Sequence, residues 1–400
     1  MSGPAVILAA RRTAVAPRGG AFAEIEPHQL AAPVIAACIA DAGLAAADVD
    51  EVILGNALSG GGNVARLAAL AAGLPEDVPA LTLDTQCCSG LDAVLAAVRL
   101  VETGGARAVL AGGVESFSRS PLRARRPRGA NEPPDFYDRP AFAPWPERDP
   151  DPLAAMAAFA AQEGIRREVQ HALACGSHAA ARAAAPRLAQ EIVPVAGLEV
   201  DAFTRPLTPP LCRRAPVVAG EGACALDASV VAVEADAAAA VLVVSAELAR
   251  ALAGSISAPG PGPGPGRRGG GCAVLGGLAR GGPPEWPFAA LPPAVHALLG
   301  RTGHGPGELA VVELMESSAV QALANRVEIG VPGERVNRGG GALARGHPIG
   351  ASGAILAVRL FQELVRPGTR PGALGLAAIP AAGGLATALL LARRPAGPGG

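Results

Sequence analysis

The chain has 400 residues, half of them hydrophobic, and a formal net charge of −1. That length can bury one large core or two moderate ones, and the neutral balance argues against a nucleic-acid partner, which needs a clear basic excess. The sequence contains no lysine, which excludes a lysine Schiff base, a pyridoxal phosphate anchor and a P-loop lysine together.

The opening stretch "MSGPAVILAARRTAV" has no positively charged leader and reads as a first strand, not a signal peptide. "EVILGNA", "ALTLDT" and "ARAVLAGG" read as further strands, and "HQLAAPVIAACIADAGL" and "SGLDAVLAAVRLVETG" as helices that end near a glycine. This alternation predicts an α/β fold. Residues 119–150 are rich in Arg and Pro, hold the sole tyrosine, and read as a covering loop; helices are expected at about 152–164 and 166–190. His171 and His178 fall on the second of these, expected at the surface. "APGPGPGPGRRGGG" at 258–271 can hold neither helix nor strand and marks a linker. No apolar run is long enough to span a membrane without interruption. Seven cysteines, an odd number without an export signal, suggest free thiols in a reducing cytoplasm.

The chain also repeats itself. "SGLDAVLAAVRL" at 89–100 resembles "IGASGAILAVRL" at 349–360, and "AGLAAADVDEVIL" at 42–54 faces "TGHGPGELAVVEL" at 302–314. Both offsets are 260 (349 − 89 and 302 − 42), which predicts two similar halves. At the same offset Cys87 pairs with His347 (347 − 87 = 260), so a thiol and an imidazole are expected to meet between two helix starts. Cys87 and Cys88 precede a helix whose N-terminal dipole favours a thiolate, and Ser89 and Gly90 are small enough to admit a substrate. The bland reading is two buried small hydrophobes. His347 lies between Gly346 and Pro348 on a glycine-rich turn, and with Cys87 it supplies a nucleophile and a general acid/base. No Cys/His spacing resembles a zinc site, so no metal is expected.

These motifs, with "AGGVESFSRSP", "GIRREVQHALACGSHAAA" and above all "VNRGGGALARGHPIGASGA", resemble the thiolase family over most of the chain. The resemblance implies two duplicated βαβαβαββ halves in a five-layered arrangement with an inserted loop domain. The expected parts are 1–118 with 237–257, an insertion at 119–236, the linker 258–271, and a second half at 272–400. It implies that Cys87 accepts an acyl group, that Cys88 fills a small-residue position, and that His347 activates Cys87 and binds a thioester oxygen. Asn337 and Gly339, Gly340 and Gly341 would shape the turn presenting His347.

Two family motifs depart from the pattern. Met315 stands where an Asn would hold a water in an oxyanion hole, although Glu316, Gln321 and Leu323 match. Near the C-terminus, where the family has Cys-x-Gly, Ala378 falls at the carbanion-forming Cys and Pro380 at the Gly. No cysteine follows Cys272, so that base is lost in any register, whereas a slip of one or two residues would bring the N–H of Ala381 or Ala382 into place. The resemblance thus implies an acyltransferase that uses a CoA or carrier-protein thioester as substrate with no bound cofactor. Its acceptor is a carbon nucleophile, or an amine, alcohol or water; the other reading is an impaired subunit acting as partner or scaffold. A homodimer or dimer of dimers is implied, with no membrane association. Arg123, Arg125, Arg126 and Arg128 form a basic run that reads either as a solvated face or as a contact for CoA phosphates or an acidic carrier protein.

Overall fold

The structure, a computed structural model, describes residues 3–129, 131–254 and 271–395. The predicted linker therefore lies outside the described residues except for Gly271.

The first half supplies strands β1 (Val6–Thr13), β2 (Ala16–Pro17), β3 (Glu51–Gly55), β4 (Ala80–Leu83) and β5 (Ala108–Glu115). Its helices are α1 (Pro27–Ala42), α2 (Val64–Ala71) and α3 (Ser89–Glu102). An insertion follows, with short strands β6 (Ala124–Arg125), β7 (Asp135–Phe136), β8 (Ile192–Val193), β9 (Val217–Ala219) and β10 (Leu226–Asp227). It also carries helices α4 (Pro152–Gln162), α5 (Arg167–Leu188) and α6 (Pro209–Arg213). The chain returns to the first half in β11 (Ala235–Val244), which begins two residues inside the expected insertion, and α7 (Ala246–Gly254). The second half contains β12 (Cys272–Gly281), α8 (Leu291–Thr302), β13 (Leu309–Leu314), α9 (Ala319–Ile329), α10 (Ala342–Arg345), α11 (Ile349–Val365), β14 (Leu374–Ala381) and β15 (Leu385–Arg393).

Local chemistry explains the boundaries. Pro27 opens α1, Gln29 reaches back to the Glu26 N–H, and Gly43 closes the helix in a left-handed conformation. Every residue of β11, "ADAAAAVLVV", is buried, and from Ala237 on it is a continuous apolar run covered on both faces.

The main sheet path is β13-β14-β15-β12-β1-β11-β5-β3-β4. Outward from the β12–β1 contact, β1-β11-β5-β3 on one side mirrors β12-β15-β14-β13 on the other. Each series pairs antiparallel, antiparallel, then parallel. Among the described residues, the strand pairs Val6–Ala273 and Ile7–Cys272 join the two, with the Val274 N–H donated to the Ala5 carbonyl beside them. The core between the halves gathers α3, α11 and residues of both sets of strands; α1 and α2 cover the outer face of the first set, and α8 that of the second. The result is five layers, helix–sheet–helix–sheet–helix. Helices α3 and α11 begin at residues 89 and 349, the offset read from the sequence. They cross at glycines: a Cβ on Gly90 would lie 2.7 Å from the Ala354 nitrogen, and one on Gly353 2.6 Å from that of Leu91. That close crossing brings the two helix starts together.

A buried ion cluster locks the insertion against both halves. Glu191 accepts from Arg12 of β1 at 2.7 Å and from Arg359 of α11 at 2.5 Å, and Asp201 accepts from Arg12 at 2.6 Å. The planar guanidinium of Arg12 grips both Asp201 oxygens with its two terminal nitrogens, a bidentate fork that lysine lacks, while its Nε serves Glu191.

Candidate active site

The turn from β4 into α3 carries Cys87. Gln86 adopts φ 55°, rare for a non-glycine residue, with its N–H donated to the Asp84 carboxylate at 2.8 Å. Ser89 accepts the Thr85 N–H at 2.9 Å and donates to the Gln86 carbonyl at 2.6 Å, closing the turn. Across the core, His347 follows Gly346 (φ 115°) and donates its backbone N–H to the Val233 carbonyl at 2.8 Å. Cys87 Sγ lies 3.2 Å from His347 Nε2. The two residues paired by the 260-residue offset are in contact.

The tautomer of His347 follows from its other nitrogen. Nδ1 lies 2.7 Å from Ser352 Oγ, and that hydroxyl donates to the Pro348 carbonyl at 3.0 Å. Because Ser352 has one proton and a carbonyl only accepts, Nδ1 carries the N–H and Nε2 is left to accept from the thiol. Ser352 lies inside the quoted motif "HPIGASG", yet its role appears only once α11 brings it under the imidazole.

Protonation differs from the sequence expectation. Burial pushes the Cys87 thiol up to about 12, against the pull of the Ala382 and Cys87 N–H groups, and burial lowers His347 to about 4. The resting pair is a neutral thiol and a neutral imidazole. Cys88 is the N-cap of α3, which begins at Ser89, so Cys87 stands one residue before the cap, and desolvation outweighs the dipole. Cys88 itself is fully buried and donates to the Ile379 carbonyl at 3.4 Å.

The pair opens on a cavity of about 240 Å³ whose walls include Phe142, Leu153, Met156, Val231, Phe288 and Ile349. Four of these come from the insertion, where sequence reasoning identified no lining residues. Leu153 and Met156 share a face of α4, but Phe142 and Val231 come from irregular stretches far apart in sequence, and nothing local marks which of the four meet at one cavity.

Asn337 (φ 46°) accepts the Leu314 N–H at 2.8 Å and donates to the Leu314 carbonyl at 2.9 Å and to Glu316 at 2.6 Å. A Cβ on Gly340 would lie 2.5 Å from the Ser177 carbonyl oxygen, and one on Gly341 2.1 Å from the Glu316 carboxylate, so α5 and Glu316 press directly on this turn. Met315 is packed in the central core, where its backbone N–H donates to Ala378. Its thioether offers no polar hydrogen to hold a water.

The C-terminal register is corrected. Ala378 is fully buried in the outer cluster with α8 and β13, away from the cavity. Pro380, Ala381 and Ala382 line the cavity instead, and it is the Ala382 N–H that reaches the Cys87 sulfur. Strand β14 continues to Ala381, and Gly383 and Gly384, both at positive φ, make the turn.

Two other expectations change. His171 and His178 are buried, not on a surface face. His171 contacts Asp227 at 2.7 Å; His178 accepts the Arg205 N–H at 3.3 Å, and burial lowers it to about 4. Helix α5 packs against α6, α9 and α10, and both histidines fall on the face those helices cover, while its opposite face, with Glu168, Ala172, Ala179 and Arg182, stays exposed. In the basic run, Arg123 donates to the Ala57 carbonyl at 3.2 Å, Arg125 pairs with Asp135 at 2.7 Å beneath Tyr137, and Arg126 is exposed. None of the three lines the cavity.

Family models for the thiolase N-terminal and C-terminal domains match residues 5–247 and 273–393. The chain belongs to the thiolase family. It is 39% identical over 392 residues, 96% of this chain and 98% of the relative, to YhfS of Bacillus subtilis (strain 168), provisionally named an acetyl-CoA C-acetyltransferase. It is 32% identical over 375 residues, 89% of this chain and 92% of the relative, to the similarly named VraB of Staphylococcus aureus (strain MRSA252). The crystal structure of the Bacillus anthracis acetyl-CoA acetyltransferase superposes with a TM-score of 0.87 at 27% identity, covering 98% of this chain and 99% of that one. Human mitochondrial 3-ketoacyl-CoA thiolase shares the fold, with a TM-score of 0.84 at 24% identity and 98% of each chain covered. This thiolase is thus an enzyme of the acyltransferase class. Among the described residues no helix is long and apolar enough to cross a membrane, and no group of three or more His, Cys, Asp or Glu is placed to hold a metal ion.

Proposed function

We propose that this thiolase takes an acyl group from a CoA or carrier-protein thioester onto Cys87 and passes it to an acceptor in Claisen-type C–C bond formation, in a specialised biosynthetic route. The observation that carries the reading is the 3.2 Å Cys87–His347 contact at the cavity, beside the Ala382 N–H. His347 Nε2 takes the thiol proton as the sulfur attacks the thioester carbonyl, and returns it to the departing CoA sulfur. The Cys87 and Ala382 N–H groups are the donors for the developing oxyanion. The neutral resting pair suits this step, since proton transfer accompanies attack.

Pro380 stands where the second family cysteine would act, and it has no proton-accepting group. The acceptor carbanion is therefore generated without that base, by loss of carbon dioxide from the acceptor; amine, alcohol and water remain the alternative acceptors. An intact, hydrogen-bonded Cys–His pair disfavours a scaffolding subunit. A homodimer or dimer of dimers in the cytoplasm, and carrier or CoA contacts at Arg123, Arg125 and Arg126, belong to the same reading; the arginine contacts require a salt-dependent KM.

The test is intact mass spectrometry after incubation with short and medium acyl-CoAs and carrier thioesters, alongside Cys87→Ala and Cys88→Ala. An adduct lost only in Cys87→Ala supports the reading. No adduct with any thioester refutes it. Malonyl against acetyl acceptors then separates decarboxylative from base-dependent condensation.

A further inference from the structure

Outside the acyl-transfer centre, the insertion holds a second pair of sulfurs. Cys175 on α5 and Cys212 on α6 are free thiols with their Sγ atoms 3.7 Å apart. Cys175 is half-buried and reachable from solvent; Cys212 is fully buried beneath it. Neither lines the catalytic cavity. We propose that Cys175 and Cys212 form a reversible intramolecular disulfide when the protein meets peroxide, a modification site separate from Cys87.

The surrounding structure permits the closure. A disulfide needs its sulfurs about 2.05 Å apart, so they must approach by about 1.6 Å. Helix α5 is long and anchored: Ser177, two residues past Cys175, donates to Glu316 at 2.8 Å and accepts the Gly341 N–H at 2.9 Å. Helix α6 is a single turn of five residues, and Pro209, Pro210 and Leu211 on it are exposed. The short element can move toward the fixed one. The adjacent Cys87 and Cys88 have no such freedom, because a bridge between neighbours is strained.

The chemistry balances. Hydrogen peroxide oxidises the Cys175 sulfur to sulfenic acid and releases one water. The Cys212 sulfur then attacks the sulfenic sulfur; its proton leaves with the hydroxyl as a second water, and the S–S bond forms. Two thiols lose two hydrogens and one peroxide becomes two waters. Burial and the neighbouring Cys212 sulfur push the Cys175 thiol up to about 11, so the first step is slow at neutral pH. The pair answers sustained oxidant, not a trace.

The full chain is exposed to hydrogen peroxide at about pH 8.5, blocked with iodoacetamide after unfolding, and digested. The expected product is a Cys175–Cys212 cross-linked peptide lighter by two hydrogens, restored by dithiothreitol. Cys212→Ser should leave Cys175 as a sulfenic acid that dimedone traps, and Cys175→Ser should abolish the cross-link; both variants should keep the parent's Cys87 acylation. Recovery of Cys175 and Cys212 both alkylated while Cys87 is oxidised overturns the proposal. So does a cross-link of either one to Cys224 or to another chain. The readout is independent of acyl transfer, so it stands or falls apart from the proposed function.

Discussion

Ser352→Ala tests the tautomer argument at the centre of the site. In the parent, the Ser352 hydroxyl accepts the His347 Nδ1–H at 2.7 Å and is nearly fully buried. The alanine leaves that N–H unpaired in a dry site, a loss of about 1–3 kcal/mol. The imidazole can recover part of this by moving its proton to Nε2, which then faces the Cys87 sulfur as a donor and cannot take the thiol proton. If the whole loss falls on the reactive tautomer, Cys87 acylation slows by about 5- to 150-fold, because about 1.4 kcal/mol is one factor of ten. Single-turnover acetylation by acetyl-CoA, followed by intact mass, measures this directly. Ser352→Thr keeps the hydroxyl and should recover most of the rate. An alanine variant that folds and acylates within about twofold of the parent would show that the serine does not set the tautomer.

Pro380→Cys should raise deuterium exchange α to the thioester of acetyl-CoA, or thiolysis of acetoacetyl-CoA, whereas Ala378→Cys should not, because Ala378 is buried away from the cavity; the reverse result would restore the unshifted register. Burial raises the Glu115 and Glu313 carboxyls from 4.5 to about 7. A carboxyl that holds its proton more tightly when folded contributes fully below its ordinary value, and that contribution is lost as pH climbs through about 7, at most about 3 kcal/mol for each group. Burial lowers His347 and His178 to about 4, which adds stability as pH climbs from about 4 to about 6.5 and offsets this loss. The readout is therefore a difference: the melting temperature of Glu313→Gln relative to the parent should rise between about pH 5 and pH 8, and a constant or falling difference contradicts the assignment. Glu191→Ala removes the carboxylate shared by Arg12 and Arg359 and should cost about 3–5 kcal/mol in urea unfolding. A loss below about 1 kcal/mol would mean that the two guanidiniums find other partners.

Much was determined by the sequence alone, and for a physical reason. A duplication preserves spacing, so one offset paired Cys87 with His347 and aligned the starts of α3 and α11 before any contact was known. The absence of cysteine beyond Cys272 removed the second family base in every register. Alternating short strands and longer helices, bounded by glycines and prolines, announced the α/β halves because these signals are local.

Tertiary structure decided what depends on distant segments meeting. Which of Ala378 to Ala382 faces the sulfur depends on how far β14 runs before its Gly383–Gly384 turn, which motif spacing does not show. The neutral Cys87–His347 pair reflects burial by five layers, which no dipole argument from the helix start could weigh. His171 and His178 are buried by partners distant in sequence, Asp227 for the first and Arg205 for the second. The proton on His347 Nδ1, and with it the direction of transfer from Cys87, was decided by a hydroxyl that only the packed α11 places beneath the ring.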